Sequence, residues 1–230
     1  MSATGLVRCE GLAKTFRMHV RGGATLGAFR DVSFTLDRGE FLGVAGPSGA
    51  GKSTLLRCVY RTCIPTAGRI WYTDAGRRVH DLATADEHDV LGLRRGEIGY
   101  VSQFFSVIPR VSALDTVVDD MVARGAARAE GEQRARELLE RLRIPRHLWD
   151  MYPSTFSGGE KQRINIIRAI SMKPRLLLLD EPTASLDAAT ALEAVALFRE
   201  MKTQGTAMIG VFHDRALLKS LSDGILEMRP

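Results

Sequence analysis

Residues 41–53 read Phe41-Leu42-Gly43-Val44-Ala45 and then Gly46-Pro47-Ser48-Gly49-Ala50-Gly51-Lys52-Ser53. A short β-prone run passes into a glycine-rich turn, and a helical stretch follows from Lys52 to about Arg61, stopping before Pro65. The eight residues from Gly46 to Ser53 fit the GxxxxGK[ST] pattern in its required strand–loop–helix setting. Glycines let the backbone wrap closely around a phosphate with its N–H groups turned inward, and the helix N-terminus adds a favourable dipole. Lys52 is placed to reach β and γ phosphates and Ser53 to offer a hydroxyl to Mg²⁺, with Thr54 beside them. Binding of a nucleoside triphosphate, ATP, with Mg²⁺ is the expectation.

Further along, four leucines at 176–179 lead into Asp180 and Glu181. A run apolar on both faces suits a central strand of a parallel sheet, and such sheets present binding residues at strand ends. Asp180 is expected to hold Mg²⁺ through water, and Glu181 to polarise an attacking water as general base. A second apolar run at 207–212 is broken only by Gly210, and residues 187–202 between the two are long enough for a crossover helix.

The remainder extends that frame. Residues 6–9 and 32–36 are β-prone, with an exposed hairpin tip expected around Arg21, Gly22 and Gly23, and IGYVS at 98–102 is another short strand. From 104 to about 172 the character turns helical, and Ala135, Leu138, Leu139 and Leu142 recur at helical spacing between Arg and Glu. The fold expected is α/β: a mostly parallel core, an antiparallel β portion at the N-terminal side, and an inserted helical subdomain over 104–172, all in one domain spanning 1–230.

Composition bounds the partners. The 45% apolar and 26% charged content is that of an ordinary globular chain with a sizeable core. A net charge of +5 and a pI near 9.4 suit polyanionic ligands, yet acids and bases are mixed along the chain, which argues against a nucleic-acid surface. Cys9, Cys58 and Cys63 are odd in number and at no metal-ligand spacing, so all three read as structural thiols in a reducing compartment. No apolar run approaches the ~20 residues of a membrane span, and MSATGLVRCEGLAK lacks a signal-peptide core, so a cytoplasmic location is expected.

Ser157-Gly158-Gly159-Glu160-Lys161-Gln162-Arg163 has two readings. Ser157 and Glu160 at S-x-x-E spacing make a capping box opening a helix to about Ile170. Two glycines in the first turn, however, cost on the order of 1 kcal/mol each relative to alanine, which capping does not require. Bare backbone at a helix N-terminus suggests a second anion site.

SGGEKQR ahead of LLLLDEPTASLD resembles the signature, Walker B and D-loop series of ABC ATPases, and the likeness runs from about Val7 to His213. In that family the signature of one subunit closes on the γ-phosphate held by the phosphate loop of another, so the resemblance implies a head-to-tail partner, a homodimer or a paralogue. It further implies that Phe16 stacks on adenine, that Gln103 senses Mg²⁺ and the γ-phosphate, that Asp187 belongs to the loop crossing the interface, and that His213 contacts the γ-phosphate. Phe156 stands where leucine is commoner, and Glu160 where glutamine is common. Neither change removes a group that contacts phosphate.

Within the family, QFFSVIPRVSALDTV, RIPRHLWDMYPSTFSGGEKQRINIIRAI and GVFHD look most like the ATP-binding subunit, lettered L, of the carbon–phosphorus lyase system. That likeness implies a phosphonate-processing complex coupling a phosphonate to the ribose triphosphate of ATP, with carbon–phosphorus lyase subunits as partners. The alternative is the motor of a membrane transporter of lipoprotein-release or peptide-export type. Phe104, Phe105, Val107, Ile108 and Pro109 form an apolar patch that either contacts such a partner or packs into the helical subdomain.

Overall fold

A computed structural model describes residues 5–18, 24–103 and 107–229. The chain opens with β1 (Val7–Met18) and β2 (Ala24–Leu36), paired antiparallel from Val7–Leu36 to Met18–Ala24. The β-prone runs at 6–9 and 32–36 are therefore only the inner part of a longer hairpin. Its outer part is largely exposed, residues 15–17 against 25–27, so pairing rather than burial keeps it extended. Arg21, Gly22 and Gly23 lie outside the described residues.

β3 (Phe41–Ala45) runs into α1 (Lys52–Val59), which ends before the expected Arg61 because Arg61 takes a left-handed φ of 66°. β4 (Ala67–Thr73) and β5 (Val79–Asp81) join the first two strands in a sheet of order β2-β1-β4-β5. α2 (Glu87–Gly96) and β6 (Ile98–Val101) follow. α3 (Ala113–Val122), α4 (Arg128–Arg141) and α5 (Gly158–Ser171) then form a run of helices. β7 (Leu176–Asp180), α6 (Ala188–Thr203), β8 (Ala207–Val211), α7 (Arg215–Leu221) and β9 (Gly224–Glu227) complete the chain.

The second sheet has the order β6-β7-β8-β3-β9, and every pairing in it is parallel. The expected α/β architecture, parallel core and antiparallel N-terminal sheet are all present. Strand β7 shows why its sequence is continuously apolar: Leu177 and Leu179 enter one core with α3–α6, while Leu176 and Leu178 enter another with α1 and β1. Alternation puts neighbours on opposite faces, and both faces are covered. Ala135, Leu138, Leu139 and Leu142 are buried together, as their spacing predicts. No helix among the described residues is long and apolar enough to cross a membrane.

This order sets the C-terminal ends of β7, β8 and β3 side by side. The loops after those strands carry Glu181, His213 and the phosphate loop, so the topology alone gathers them at one sheet edge.

Candidate functional site

The phosphate loop is shaped by its glycines and by β2 behind it. Gly51 has φ 83°, and a Cβ there would lie 2.4 Å from the Ala28 carbonyl oxygen, so both conformation and space demand glycine. Lys52 opens α1 and its Nζ donates to Gly46 O and Pro47 O, each at 2.9 Å. Its ammonium thus stands at the loop's mouth, beside a cleft of about 240 Å³ lined by Gly46, Ser48, Glu181, His213 and Arg215. Thr54 is half-buried in the first turn of α1.

Asp180 is almost wholly buried at the end of β7, 1% exposed. A buried carboxylate needs hydrogen-bond donors, and two hydroxyls supply them: Ser53 Oγ at 2.7 Å and Tyr100 OH at 3.0 Å. Burial, and next the Asp180 charge, push the Tyr100 phenol above its usual range, which keeps it a donor. Tyr100 carries no expected role from sequence. The available signal is its place on β6, paired with Leu178 of β7, and a phenol is a poor motif letter because it is usually core.

Ser53 and Asp180 are hard oxygen donors in contact, which suits Mg²⁺. Among the described residues no cluster of three or more His, Cys, Asp or Glu could hold an ion unaided. A magnesium ion here would complete its shell with nucleotide phosphates and water, its habitual mode. The residues fit the ion only together with the nucleotide.

Glu181 takes a left-handed φ of 51°, uncommon for a residue with a Cβ, while its N–H donates to Val211 O at 3.0 Å. The turn swings its side chain to the strand ends. There Glu181 Oε2 accepts from Gln103 Nε2 at 3.1 Å and lies 3.1 Å from His213 Nε2. The His213 side chain is 79% exposed, whereas that of Glu181 is 15% exposed. A carboxylate so placed faces the cleft that holds Lys52.

Ser157 caps α5 by the reciprocal box read from sequence: Glu160 N donates to Ser157 Oγ, and Ser157 N donates to Glu160 Oε2 at 2.8 Å. The Ser157 hydroxyl, then its backbone N–H, hold the Glu160 carboxyl below its usual range. The two glycines differ. A Cβ on Gly159 would sit 2.9 Å from Ser185 O, while around Gly158 nothing lies within 4 Å. Packing explains Gly159, and nothing within this chain explains Gly158.

Asp187 caps α6, accepting from Thr190 N at 3.0 Å and Thr190 Oγ1 at 2.7 Å, and these bonds, the hydroxyl's first, lower its carboxyl. Phe16 is 40% exposed on β1 with the Lys14 ammonium 4.9 Å from its ring centroid, so it is not a core aromatic. Phe104 and Phe105 lie outside the described residues. Ile108 is exposed with Pro109, and Val107 is half-buried, so this end of the patch stays out of the helical core.

The structure therefore brings together Lys52, Ser53, Asp180, Glu181, Gln103 and His213, while Ser157–Glu160 stand at a separate helix N-terminus. Arg215, which lines the cleft, was not singled out from sequence. It follows the His213-Asp214 pair, where a charged residue in the first turn of α7 has no distinguishing pattern.

Comparison with known proteins bears on this arrangement. The family described as ABC transporter matches residues 29–184. The lipoprotein-releasing system ATP-binding protein LolD of Idiomarina loihiensis is 35% identical over 217 residues, covering 94% of this chain and 91% of that protein. A protein of Brucella ovis named for peptide import and ATP binding is 34% identical over 230 residues, 98% of this chain and 70% of that one. Among solved structures, the ATP-binding cassette MJ0796, a dimer in a post-hydrolysis state bound to ADP and Pi, superposes with a TM-score of 0.86 at 28% identity, covering 97% and 94% of the two chains.

Proposed function

The chain belongs to the ABC transporter family of ATP-hydrolysing cassettes, and from that premise we propose that it is the motor subunit of an assembly in which two cassettes close head to tail around ATP. The contact of Glu181 with Gln103 and His213, facing the cleft of Lys52, carries the proposal. The loop from Gly46 to Lys52 wraps the phosphates with its N–H groups, which every residue but Pro47 supplies, with Lys52 on the β and γ oxygens and Thr54 alongside. Ser53, Asp180 and Gln103 would hold Mg²⁺, which would supply charge neutralisation to the phosphates. Glu181 accepts a proton from the attacking water, while His213 steadies the γ-phosphate. Phe16 offers its exposed face to the adenine. In the partner's site, Ser157, Gly158, Gly159 and Glu160 cover the γ-phosphate, with Asp187 close to the crossing.

What the motor drives is read from its relatives' names. Lipoprotein release and peptide import both favour a membrane transporter as the partner. A second reading, the phosphonate carbon–phosphorus lyase complex, is carried by the long sequence likeness over residues 103–117 and 143–170; none of the relatives compared supports it. Purifying the native assembly with this chain as bait and identifying its companions separates the two. Membrane subunits support transport, and lyase subunits overturn it.

A further inference from the structure

Two amides lie in the middle of α5, at buried positions where desolvation favours apolar residues. Gln162 is 4% exposed and Asn165 0% exposed, among Ile164, Ile166 and Ile167. Their bonds leave the helix. Asn165 Nδ2 donates to Ser102 O at 2.8 Å, and Gln162 Nε2 donates to Ser102 O at 3.4 Å and Pro182 O at 3.3 Å. Those two carbonyls belong to the backbone neighbours of Gln103 and Glu181, which are joined side chain to side chain at 3.1 Å. Asn165 Nδ2 also reaches Gln162 Oε1 at 3.5 Å, so the amides act as one unit. Among the described residues Asn165 Oδ1 has no hydrogen-bond partner, so the amide serves as a donor.

The same helix is capped by Ser157, about one and a half turns before Gln162 at 3.6 residues per turn. Its first turn is also fixed to the loop after β7, because Gly159 abuts Ser185 O. α5 is thus tied at Ser102, Pro182 and Ser185 to the segments that carry Gln103 and Glu181.

We infer that Gln162 and Asn165 are positioning residues that lock the Gln103–Glu181 pair to the signature helix of the same chain, so that closure of that helix on the partner's ATP is transmitted to the chain's own hydrolytic pair. The inference rests on the head-to-tail reading above. Close-packed interiors pass small rigid shifts on rather than absorbing them. The helix N-terminus meets one nucleotide and its amides hold the groups acting on the other. The two ATP sites of a dimer are then coupled through a single helix.

The test is Gln162→Met and Asn165→Asp in the full chain, each close to the native shape and each without the donor. The expected result is a fall in kcat on the order of 10- to 100-fold, the scale of a small misplacement at a reacting centre. ATP affinity measured with a fluorescent nucleotide stays at the wild-type value, and sigmoidal ATP dependence is lost. For Asn165→Asp, turnover recovers as pH falls, because a buried carboxyl protonates early and becomes a donor again. Wild-type kcat and ATP cooperativity in both variants overturns the inference.

Hydrogen exchange gives a measurement that does not depend on those variants folding. In wild type, ATP and Mg²⁺ should slow exchange at residues 102–103 and in the first turn of α5 together. In Gly158→Asp, which still binds ATP in its own loop, the slowing at 102–103 should fall to the part that its own nucleotide gives, and slowing there equal to that of wild type refutes the coupling. The head-to-tail reading is judged separately by whether Lys52→Ala and Gly158→Asp chains recover hydrolysis on mixing, so failure of coupling alongside that recovery sinks this inference alone.

Discussion

Gln103 Nε2 donates to Glu181 Oε2 at 3.1 Å, across 78 positions of sequence, and His213 Nε2 reaches the same oxygen at 3.1 Å. One carboxylate oxygen is thereby the meeting point of the loops after β6, β7 and β8. Replacing it with an amide keeps the shape and removes the proton acceptor. Glu181→Gln is expected to bind ATP normally, to lose ~10²–10⁴-fold in hydrolysis, the range for a general base, and to accumulate as an ATP-bound dimer. Size-exclusion with ATP and Mg²⁺ reports the dimer. Unchanged steady-state hydrolysis would sink the role.

Lys52 places its ammonium at the mouth of the loop, held by two carbonyls at 2.9 Å. A charge-assisted contact to phosphate is lost in Lys52→Ala. Affinity for ATP should fall by ~1.5–3 kcal/mol, the range for hydrogen bonds to charged groups. Fluorescent-nucleotide titration checks it, and wild-type affinity contradicts the assignment.

How much of this was legible in the sequence depended on whether a segment's own side chains declare its structure. The leucines of β7, the Gly46–Ser53 loop and the S-x-x-E box state their conformations locally, and each is found where it was read. Residues 67–97 yielded no elements, yet hold β4, β5 and α2. Strand β4 buries only Ile70 and Tyr72, and α2 only Val90 and Leu93 around Gly92, so neither shows a clean period. β9 is mostly exposed and is a strand because β3 pairs with it. The Tyr100–Asp180 bond was hidden for a similar reason: it joins strands distant in sequence, and only their register brings the groups together.

The three thiols are separable by chemistry. Cys9 and Cys58 are 1% and 0% exposed, and Cys63 is half-buried. Burial raises the Cys9 thiol well above its usual value; burial first and then the nearby Cys63 push Cys58 up to about 12. Thiolate is the reactive form, so neither buried thiol supplies it at pH 8. Native alkylation at pH 8 should add one label, at Cys63, and denaturation should expose all three, as read by intact mass. Equal labelling rates at Cys58 and Cys63 would contradict the packing around α1.

Gly158 and Gly159 separate folding from function. A Cβ at Gly159 meets Ser185 O at 2.9 Å, so Gly159→Ala must displace the loop before α6, an overpacking that typically costs ~1–3 kcal/mol. Around a Cβ at Gly158 there is open space to 4 Å beyond its own helical turn, so a side chain can start there without displacing packed atoms. An aspartate in the first turn of a helix is tolerated or mildly stabilising, because its charge faces the positive end of the dipole. If Ser157–Glu160 did no more than cap α5, Gly158→Asp would leave turnover intact, and Ser157→Ala would cost only ~0.5–2 kcal/mol of stability. If the turn covers the partner's γ-phosphate, the new carboxylate repels it. Gly158→Asp should then melt at or above the wild-type temperature, bind ATP in its own loop, fail to dimerise, and hydrolyse poorly. Mixing distinguishes the arrangement in a homodimer. The Lys52→Ala chain supplies an intact signature and the Gly158→Asp chain an intact phosphate loop, so a head-to-tail pair of the two contains one complete site. Partial recovery of hydrolysis on mixing, absent from either protein alone, is the expected outcome; full activity of Gly158→Asp by itself would refute a signature acting in trans.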